Sequence, residues 1–183
     1  MEEDSLLSRG ADRRDRMIRT PRLGAFVNFI IMCFAFGFAH GSVTIAIAYA
    51  STAFSYRLGT YSTGCVYLVY TFGSLFFASP IVDMIGSQRA LSMSLLFYVL
   101  YVLTLMLGTF HRIDADTDGL WVLIIIGSLL GGFGTAVGWV AQGVYFASSA
   151  ALYETTKGVS DANDYFAGIF AAICRLRLLL HNP

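Results

Sequence analysis

Residues 119–153 read GLWVLIIIGSLLGGFGTAVGWVAQGVYFASSAALY and decide the fold, because this long stretch contains no Asp, Glu, Lys or Arg. A helix needs about 20 predominantly apolar residues to cross the hydrocarbon core of a bilayer. Three further charge-free intervals, residues 23–56, 58–82 and 90–111, are also long enough. The sequence therefore predicts an all-α membrane protein with four transmembrane helices within residues 23–153.

The composition supports lipid as the solvent. Of the 183 residues, 56% are hydrophobic and 13% are charged, which leaves too little polar surface to enclose a soluble core. We find no phosphate-binding glycine loop, no zinc-ligand spacing and no nucleophile elbow, so we predict no catalytic residue, metal, cofactor or nucleic-acid partner. Cys33, Cys65 and Cys174 lie in apolar surroundings, and we interpret them as small buried hydrophobes.

Basic residues are concentrated before the first span. Six of the twelve lie there, namely Arg9, Arg13, Arg14, Arg16, Arg19 and Arg22. This asymmetry predicts a cytosolic N-terminus, with residues 1–22 a disordered, Arg-rich arm. The arm is either a topology signal alone or also a contact for anionic lipid head groups.

The chain after the fourth span is harder to insert into a membrane. Residues 154–164 are charged and predict a cytosolic loop, and an apolar stretch then starts at Tyr165. Arg175 and Arg177 interrupt that stretch, and each Arg near a helix centre costs about 2.5 to 3.5 kcal/mol on insertion scales. We therefore predict a partial, truncated fifth helix over residues 165–183, and we expect natural relatives to continue beyond it.

Glycines on the fourth helix recur at spacings of four, three and four and occupy one stripe; they are Gly127, Gly131, Gly134 and Gly138. Such stripes let helix backbones approach closely in lipid, and Gly37 and Gly41 suggest the same for the first helix. Gln142 and Tyr145 extend the stripe of the fourth helix toward its end. The stripe is therefore either a packing surface or part of a substrate path lined by these two residues.

His40 is the one ionisable side chain deep inside a predicted span, on a face that also carries Thr44. Ionisable groups inside a membrane usually face a bundle interior or a cavity, so His40 is a functional candidate. It is either a neutral imidazole bonded to a neighbouring helix or a proton-coupling group. His40, Thr44, Gln142 and Tyr145 are the candidate cavity-lining residues.

The turn after the second helix, SPIVDMIGSQR at residues 79–89, places Asp83, Gly86 and Arg89 as a compact cytosolic latch. It resembles the loop signature of the major facilitator superfamily, in which a glycine, an aspartate, a second glycine and basic residues follow at fixed spacing. Asp83 and Gly86 match that pattern in register. The departures are Ser79 for the first glycine, Ser87 and Gln88 for the basic pair, and Arg89 one position late.

A narrower resemblance rests on LGTYSTGCVYLVYTFGSLFFASPIVDMIGSQRAL at residues 58–91 and GGFGTAVGWVAQGVYFASSA at residues 131–150. Together they resemble the unc-93-like branch of that superfamily, also called ion channel regulatory proteins. The resemblance implies a twelve-helix fold built from two six-helix halves, of which this chain would supply the N-terminal part.

Two function classes remain open. The first is a regulator or trafficking partner of channels or receptors, which the narrower resemblance implies. The second is the N-terminal half of a solute transporter whose substrate the sequence does not identify. An enzyme is the least supported class. The expected partners are the lipid bilayer and either other membrane proteins or a missing C-terminal bundle.

The first residues bear on localisation. Glu2, Leu6 and Leu7 are similar to an acidic dileucine sorting signal, and the alternative is an inert charged tail. We therefore expect an integral protein of the plasma membrane or of an endolysosomal or vacuolar membrane.

Overall fold

The computed structural model describes residues 25–110, 118–157 and 161–181, and these residues form helices joined by short links. The second helical segment is continuous but changes its hydrogen-bond register over a π-helical turn, Gly73–Ala78. The helices are α1 (Ala25–Ala53), α2 (Tyr56–Phe72), α3 (Ser79–Ile85), α4 (Ser87–Phe110), α5 (Asp118–Lys157) and α6 (Ala162–His181).

Four of these segments are long and apolar enough to cross a membrane, as the charge-free intervals predict. They are the first span (Phe26–Ala53), the second (Tyr56–Ile85), the third (Ser87–Phe110) and the fourth (Asp118–Thr155). In the described part of the chain, α6 is not among them. The protein is therefore an all-helical, multi-pass membrane protein.

The link between the first two spans is short. Arg57 interrupts the charge-free intervals of the sequence, but it lies inside α2, as does Gly59. Ser55 caps that helix, because its hydroxyl accepts a hydrogen bond from the Leu58 N–H at 3.4 Å. Gly59 permits the tight hairpin, since a Cβ atom there would lie 2.5 Å from the Cα of Ser51.

The loop predicted at residues 154–164 is also shorter. Helix α5 continues to Lys157, and α6 starts at Ala162 rather than at Tyr165. A Glu154 Oε1 atom accepts a hydrogen bond from the Ala162 N–H at 3.0 Å and so satisfies a donor that a helix start leaves free. Arg175 and Arg177 lie inside α6, because arginine is a good helix former even where it opposes insertion.

Helix α5 is the centre of the bundle and contacts every other helical element. Over an apolar stretch of 18 residues in each span, 56% of the residues of the fourth span are buried inside the bundle, against 22 to 33% in the other three. Two apolar clusters surround it. One, at the end of the bundle near Asp83, includes Phe29, Phe36 and Phe166. The other lies toward the end near Ser55 and includes Leu58, Tyr101 and Ile124.

Candidate functional site

The four glycines of the fourth helix lie against α4 and form what we call the glycine seam (Gly127, Gly131, Gly134 and Gly138). A Cβ atom at Gly131 would lie 2.8 Å from the Tyr101 ring, and one at Gly134 would lie 2.7 Å from the Phe97 Cβ. Cβ atoms at Gly127 and Gly138 would collide with Thr104 and Ser94. No larger residue fits the seam unless the third span moves.

The glycine prediction for the first helix is corrected in part. Gly37 and Gly41 are both buried, but a Cβ atom at Gly37 would meet no atom within 4 Å, so Gly37 is not a point of close approach. Spacing did not single out Gly132, where a Cβ atom would lie 2.6 Å from the Val66 carbonyl oxygen. Gly132 therefore fixes the fourth span against the second.

Hydroxyl groups join the spans where the backbones are close. The Ser62 and Ser128 hydroxyls share a hydrogen bond of 2.8 Å between the second and fourth spans, and both residues are fully buried. Ser94 donates to the Gly134 carbonyl oxygen at 2.8 Å, across the glycine seam. Isolated serines in apolar runs give no sequence signal for such pairs, and sequence reasoning missed them.

His40 lies at the edge of an open recess of about 540 Å³. The recess lies between the first, second and fourth spans, and its lining combines apolar, aromatic and hydroxyl side chains. The residues are His40, Val43, Thr44, Ile47, Ala48, Val66, Tyr67, Tyr70, Thr135 and Trp139. We call this cavity the recess.

The His40 imidazole contacts side chains of the first, third and fourth spans. Its Nδ1 atom lies 3.4 Å from the Tyr98 hydroxyl of the third span. The Phe36 ring is parallel to it at 5.9 Å between centroids, and the Trp139 ring is perpendicular at 5.2 Å. Thr44 is exposed in the recess, and its hydroxyl donates to the His40 carbonyl oxygen at 2.9 Å. The recess thus combines a titratable ring with hydroxyl groups and π faces.

Two of the four candidate cavity-lining residues, His40 and Thr44, line the recess, and Gln142 and Tyr145 do not. Gln142 is buried, and Tyr145 lies beside the side chains of Gln88 and Ser149. Both lie beyond Trp139 toward the Asp83 end, where Tyr145 packs against the apolar cluster that includes Phe29 and Phe36. Depth in the bundle, which a helical wheel does not represent, separates them from the recess.

A second cavity, of about 460 Å³, lies between the first and third spans. Its lining is mostly aliphatic and includes Ala35, Ala39, Val99 and Met106. Its Ser42 hydroxyl donates to the Phe38 carbonyl oxygen at 3.0 Å, within the same helix. We call this cavity the apolar groove. Lipid chains can fill it without leaving a polar group unsatisfied.

The turn that joins the second and third spans consists of Gly86 alone, between Ile85 and Ser87. Gly86 has φ 85° and ψ 151°, a conformation that residues with a Cβ atom rarely adopt. Asp83 and Arg89 are both exposed, and within the described residues they form no ion pair with each other. The predicted latch is therefore not closed between these two side chains.

Two predictions fall outside the described residues. These are the Arg-rich arm and the dileucine pattern of Glu2, Leu6 and Leu7. Within the described residues, no group of three or more His, Cys, Asp or Glu side chains could hold a metal ion.

The comparisons with known proteins give one distant relative. The chain is 28% identical over 189 aligned residues to UNC93-like protein 3 of Arabidopsis thaliana. The alignment covers 99% of this chain and 36% of that protein, so the chain spans about a third of the length of the curated relative it matches. No protein-family model matches the chain. No solved structure matches it. The chain is thus a distant homologue of part of a larger UNC93-like protein.

Proposed function

We propose that this chain forms a membrane bundle that works by packing its recess face against another helical bundle, as a regulator or trafficking partner of a channel or receptor. The observation that carries the association is the recess itself. His40 and Tyr67 line it in the middle of spans that lipid would otherwise surround, and Tyr67 is 56% exposed. Exposing polar groups to hydrocarbon costs free energy, so we expect protein or water, rather than lipid tails, to contact this face.

The apolar groove provides the contrast. It lies on the other side of the first span and presents mostly aliphatic side chains. Lipid tails are as apolar as leucine, so the groove gains little from a protein partner, whereas the recess gains hydrogen bonds. This difference supports the recess as the face that associates.

Photo-crosslinking tests the association at matched exposure. Tyr67 in the recess and Val99 in the groove are each 56% exposed. With a photoreactive amino acid at either position of the full chain in native membranes, we expect discrete protein adducts from position 67 and lipid adducts from position 99. Adducts to lipid alone from both positions would contradict the association.

A second candidate function is solute transport, and the size of the recess favours it. A volume of about 540 Å³ falls within the range of small-molecule sites, which is about 300 to 1,000 Å³. In this function His40 would couple solute binding to protonation, and the Asp83 turn would face the cytosol together with the N-terminus.

Flux measurements separate the two functions. In proteoliposomes of a full-length relative, replacing the histidine that corresponds to His40 by alanine should abolish pH-dependent flux if that histidine couples protons. Flux that keeps its pH dependence would remove the coupling role. Absence of flux for every solute tested, together with crosslinks at position 67, would favour the regulator.

Routing to an endolysosomal or vacuolar membrane is a separate proposal that rests on the dileucine pattern. Replacing Leu6 and Leu7 by alanine in a tagged protein should move it to the cell surface, while replacing Ser5 and Ser8 should not. An unchanged distribution of the leucine variant would reject the signal.

A further inference from the structure

The charge that the recess can carry has one sign. In the part of the chain that the structure describes, its lining contains no Asp, Glu, Lys or Arg. His40 is the lining residue of the type that normally changes its charge between pH 5 and 8, from positive to neutral. The lining is therefore neutral or singly positive in this range, and it is not negative.

The side chains packed around the imidazole do not alter that sign. They are the phenol of Tyr98 on the third span, the indole of Trp139 on the fourth and the ring of Phe36 on the first. The phenols of Tyr98 and of Tyr67 and Tyr70 on the second span can titrate, but an ordinary phenol is neutral below about pH 9. Aromatic rings within about 6 Å attract a cation, and the indole and phenyl centroids lie 5.2 and 5.9 Å from the imidazole centroid. This environment is compatible with a positive ring.

Three other lining side chains carry a hydrogen-bond donor. They are the hydroxyls of Tyr67 and Tyr70 and the indole N–H of Trp139. Tyr67 is 56% exposed and Trp139 is 37% exposed, so a ligand in the recess can reach both. The two threonines differ, because Thr44 and Thr135 donate to backbone carbonyl oxygens at 2.9 and 2.8 Å. The recess therefore offers donors from aromatic side chains beside a ring that can be positive.

We propose that the recess binds a small organic anion, with a carboxylate group next to His40 and an apolar body beside Val43, Ile47 and Val66. The proposal rests on the second candidate function, solute binding in the recess, and names the class of solute. Carboxylates accept hydrogen bonds from imidazolium, phenol and indole groups, and bonds with an ionised partner are about twice as strong as neutral ones. The volume of about 540 Å³ accommodates one small acid.

Binding of the anion is accompanied by uptake of one proton. The proton comes from water and resides on the His40 imidazole, and no other bond forms or breaks. The carboxylate and the imidazolium together are neutral, and a hydrogen-bonded pair costs less in the membrane interior than either charge alone. An organic cation would be repelled by the imidazolium and would meet no carboxylate in the described lining.

Trp139 is a reporter within the recess, because the chain contains only one other tryptophan, Trp121. The full chain with Trp121→Phe is placed in lipid nanodiscs, and quenching of its fluorescence is measured with three nitroaromatic probes of similar shape. They are 4-nitrobenzoate, the neutral 4-nitrobenzamide and the cationic (4-nitrobenzyl)trimethylammonium. Because 4-nitrobenzoate keeps its charge between about pH 5.5 and pH 8, a change in its affinity over this range arises in the protein.

A second reporter position measures partitioning of the probes into lipid. Val144, on the same helix, is 37% exposed, as Trp139 is, and does not line the recess. The variant Trp121→Phe/Trp139→Phe/Val144→Trp therefore has one tryptophan of matched exposure outside the site. Quenching there is subtracted from quenching at position 139.

We expect 4-nitrobenzoate to bind at least about tenfold more tightly at the acid end of the range than at pH 8, and more tightly there than either other probe. His40→Gln should remove the pH dependence and weaken binding at the acid end by about tenfold to a hundredfold. Ser42→Ala is the control on the same helix. Its hydroxyl lines the apolar groove and bonds within the helix, so this variant should change neither quantity.

Three results would overturn the anion site: tighter binding of the amide or of the cation, an affinity for 4-nitrobenzoate that does not depend on pH, or quenching by all three probes that is equal at positions 139 and 144. The first leaves solute binding in the recess in place and removes only the class of solute. If His40→Gln fails to fold, the comparison of the three probes at two pH values still decides the question. Protein crosslinks from position 67 report on the association independently.

Discussion

The glycine seam and the junction that holds α6 attach helices to the bundle in opposite ways. In the seam the fourth span has no side chains, and its backbone packs directly against side chains of the third span, among them Tyr101 and Phe97. At the junction, rings fill the space: Phe166 is fully buried, and its centroid lies 4.4 Å from that of Phe29 and 5.4 Å from that of Tyr153. We call this group of rings, with Phe26 and Phe146, the aromatic cluster.

This difference predicts which substitutions the glycine seam and the aromatic cluster each tolerate. Apolar side chains interact with lipid tails about as well as with each other, so the apolar area buried between helices contributes little to their association in lipid. The seam gains from close packing and is intolerant of added atoms. The aromatic cluster gains from ring contacts, which are worth about 0.5 to 1.5 kcal/mol per pair beyond buried area, and is sensitive to removed atoms.

The largest expected effect is in the seam. Gly131→Leu would drive a side chain into the Tyr101 ring, and we expect the free energy of unfolding to fall by about 3 kcal/mol, measured by denaturation in mixed micelles. Gly143→Leu is the control on the same helix, because a Cβ atom at Gly143 meets nothing within 4 Å. Equal destabilisation by the two variants would show that the glycine seam is no less tolerant of large side chains than the rest of the helix.

The second effect is in the aromatic cluster. Phe166→Ala removes ring contacts to Phe29, Phe146 and Tyr153, and we expect a loss of about 2 kcal/mol. The loss should be local, with faster amide hydrogen exchange in α6 and unchanged exchange in α4. Phe76→Ala, at a ring that is 58% exposed, should change neither. Accelerated exchange in both α4 and α6 would show that the junction and the seam are one cooperative unit.

A smaller effect concerns the hydrogen bond between the second and fourth spans. Ser128→Ala leaves the buried Ser62 hydroxyl without its partner, and we expect a loss of about 1 kcal/mol in the same assay. The double variant Ser62→Ala/Ser128→Ala should lose less than the sum of the two single variants. Strict additivity would mean that the bond does not contribute. Ser92→Ala on the exposed face of α4 is the control.

The smallest effect is at the start of α6. Glu154→Ala removes the acceptor for the Ala162 N–H and should destabilise the junction by about 0.5 kcal/mol. Glu154→Gln keeps a side-chain acceptor and should recover most of that loss. Hydrogen exchange of the first turn of α6 measures both variants. Identical exchange in alanine and glutamine variants would leave the aromatic cluster as the sole attachment of α6.

Features that depend on consecutive or regularly spaced residues could be predicted from the sequence, and features that depend on contacts between spans could not. The four spans were predictable because the absence of charge over the length of a bilayer is a property of consecutive residues. The glycine stripe was visible in the fourth span because its spacing repeats. Gly132 belongs to a different face with no repeat of its own, and its contact with Val66 depends on where the second span lies.

The recess shows the same limit. His40 could be singled out from the sequence, because an ionisable residue inside an apolar span is unusual. Tyr70, Thr135 and Trp139 could not, because aromatic and hydroxyl residues also occupy ordinary packing positions. Their place beside His40 follows from the approach of three spans that are far apart in sequence.

Composition and the spacing of charges by themselves determined that this protein crosses a membrane several times through helices, because lipid leaves a backbone no other single-segment way to satisfy its hydrogen bonds. Only the tertiary structure decided which spans are in contact, where along the bundle the recess beside His40 lies, and where the second span changes its hydrogen-bond register. Those outcomes depend on contacts between residues remote in sequence, such as Gly131 with Tyr101 and Ser62 with Ser128.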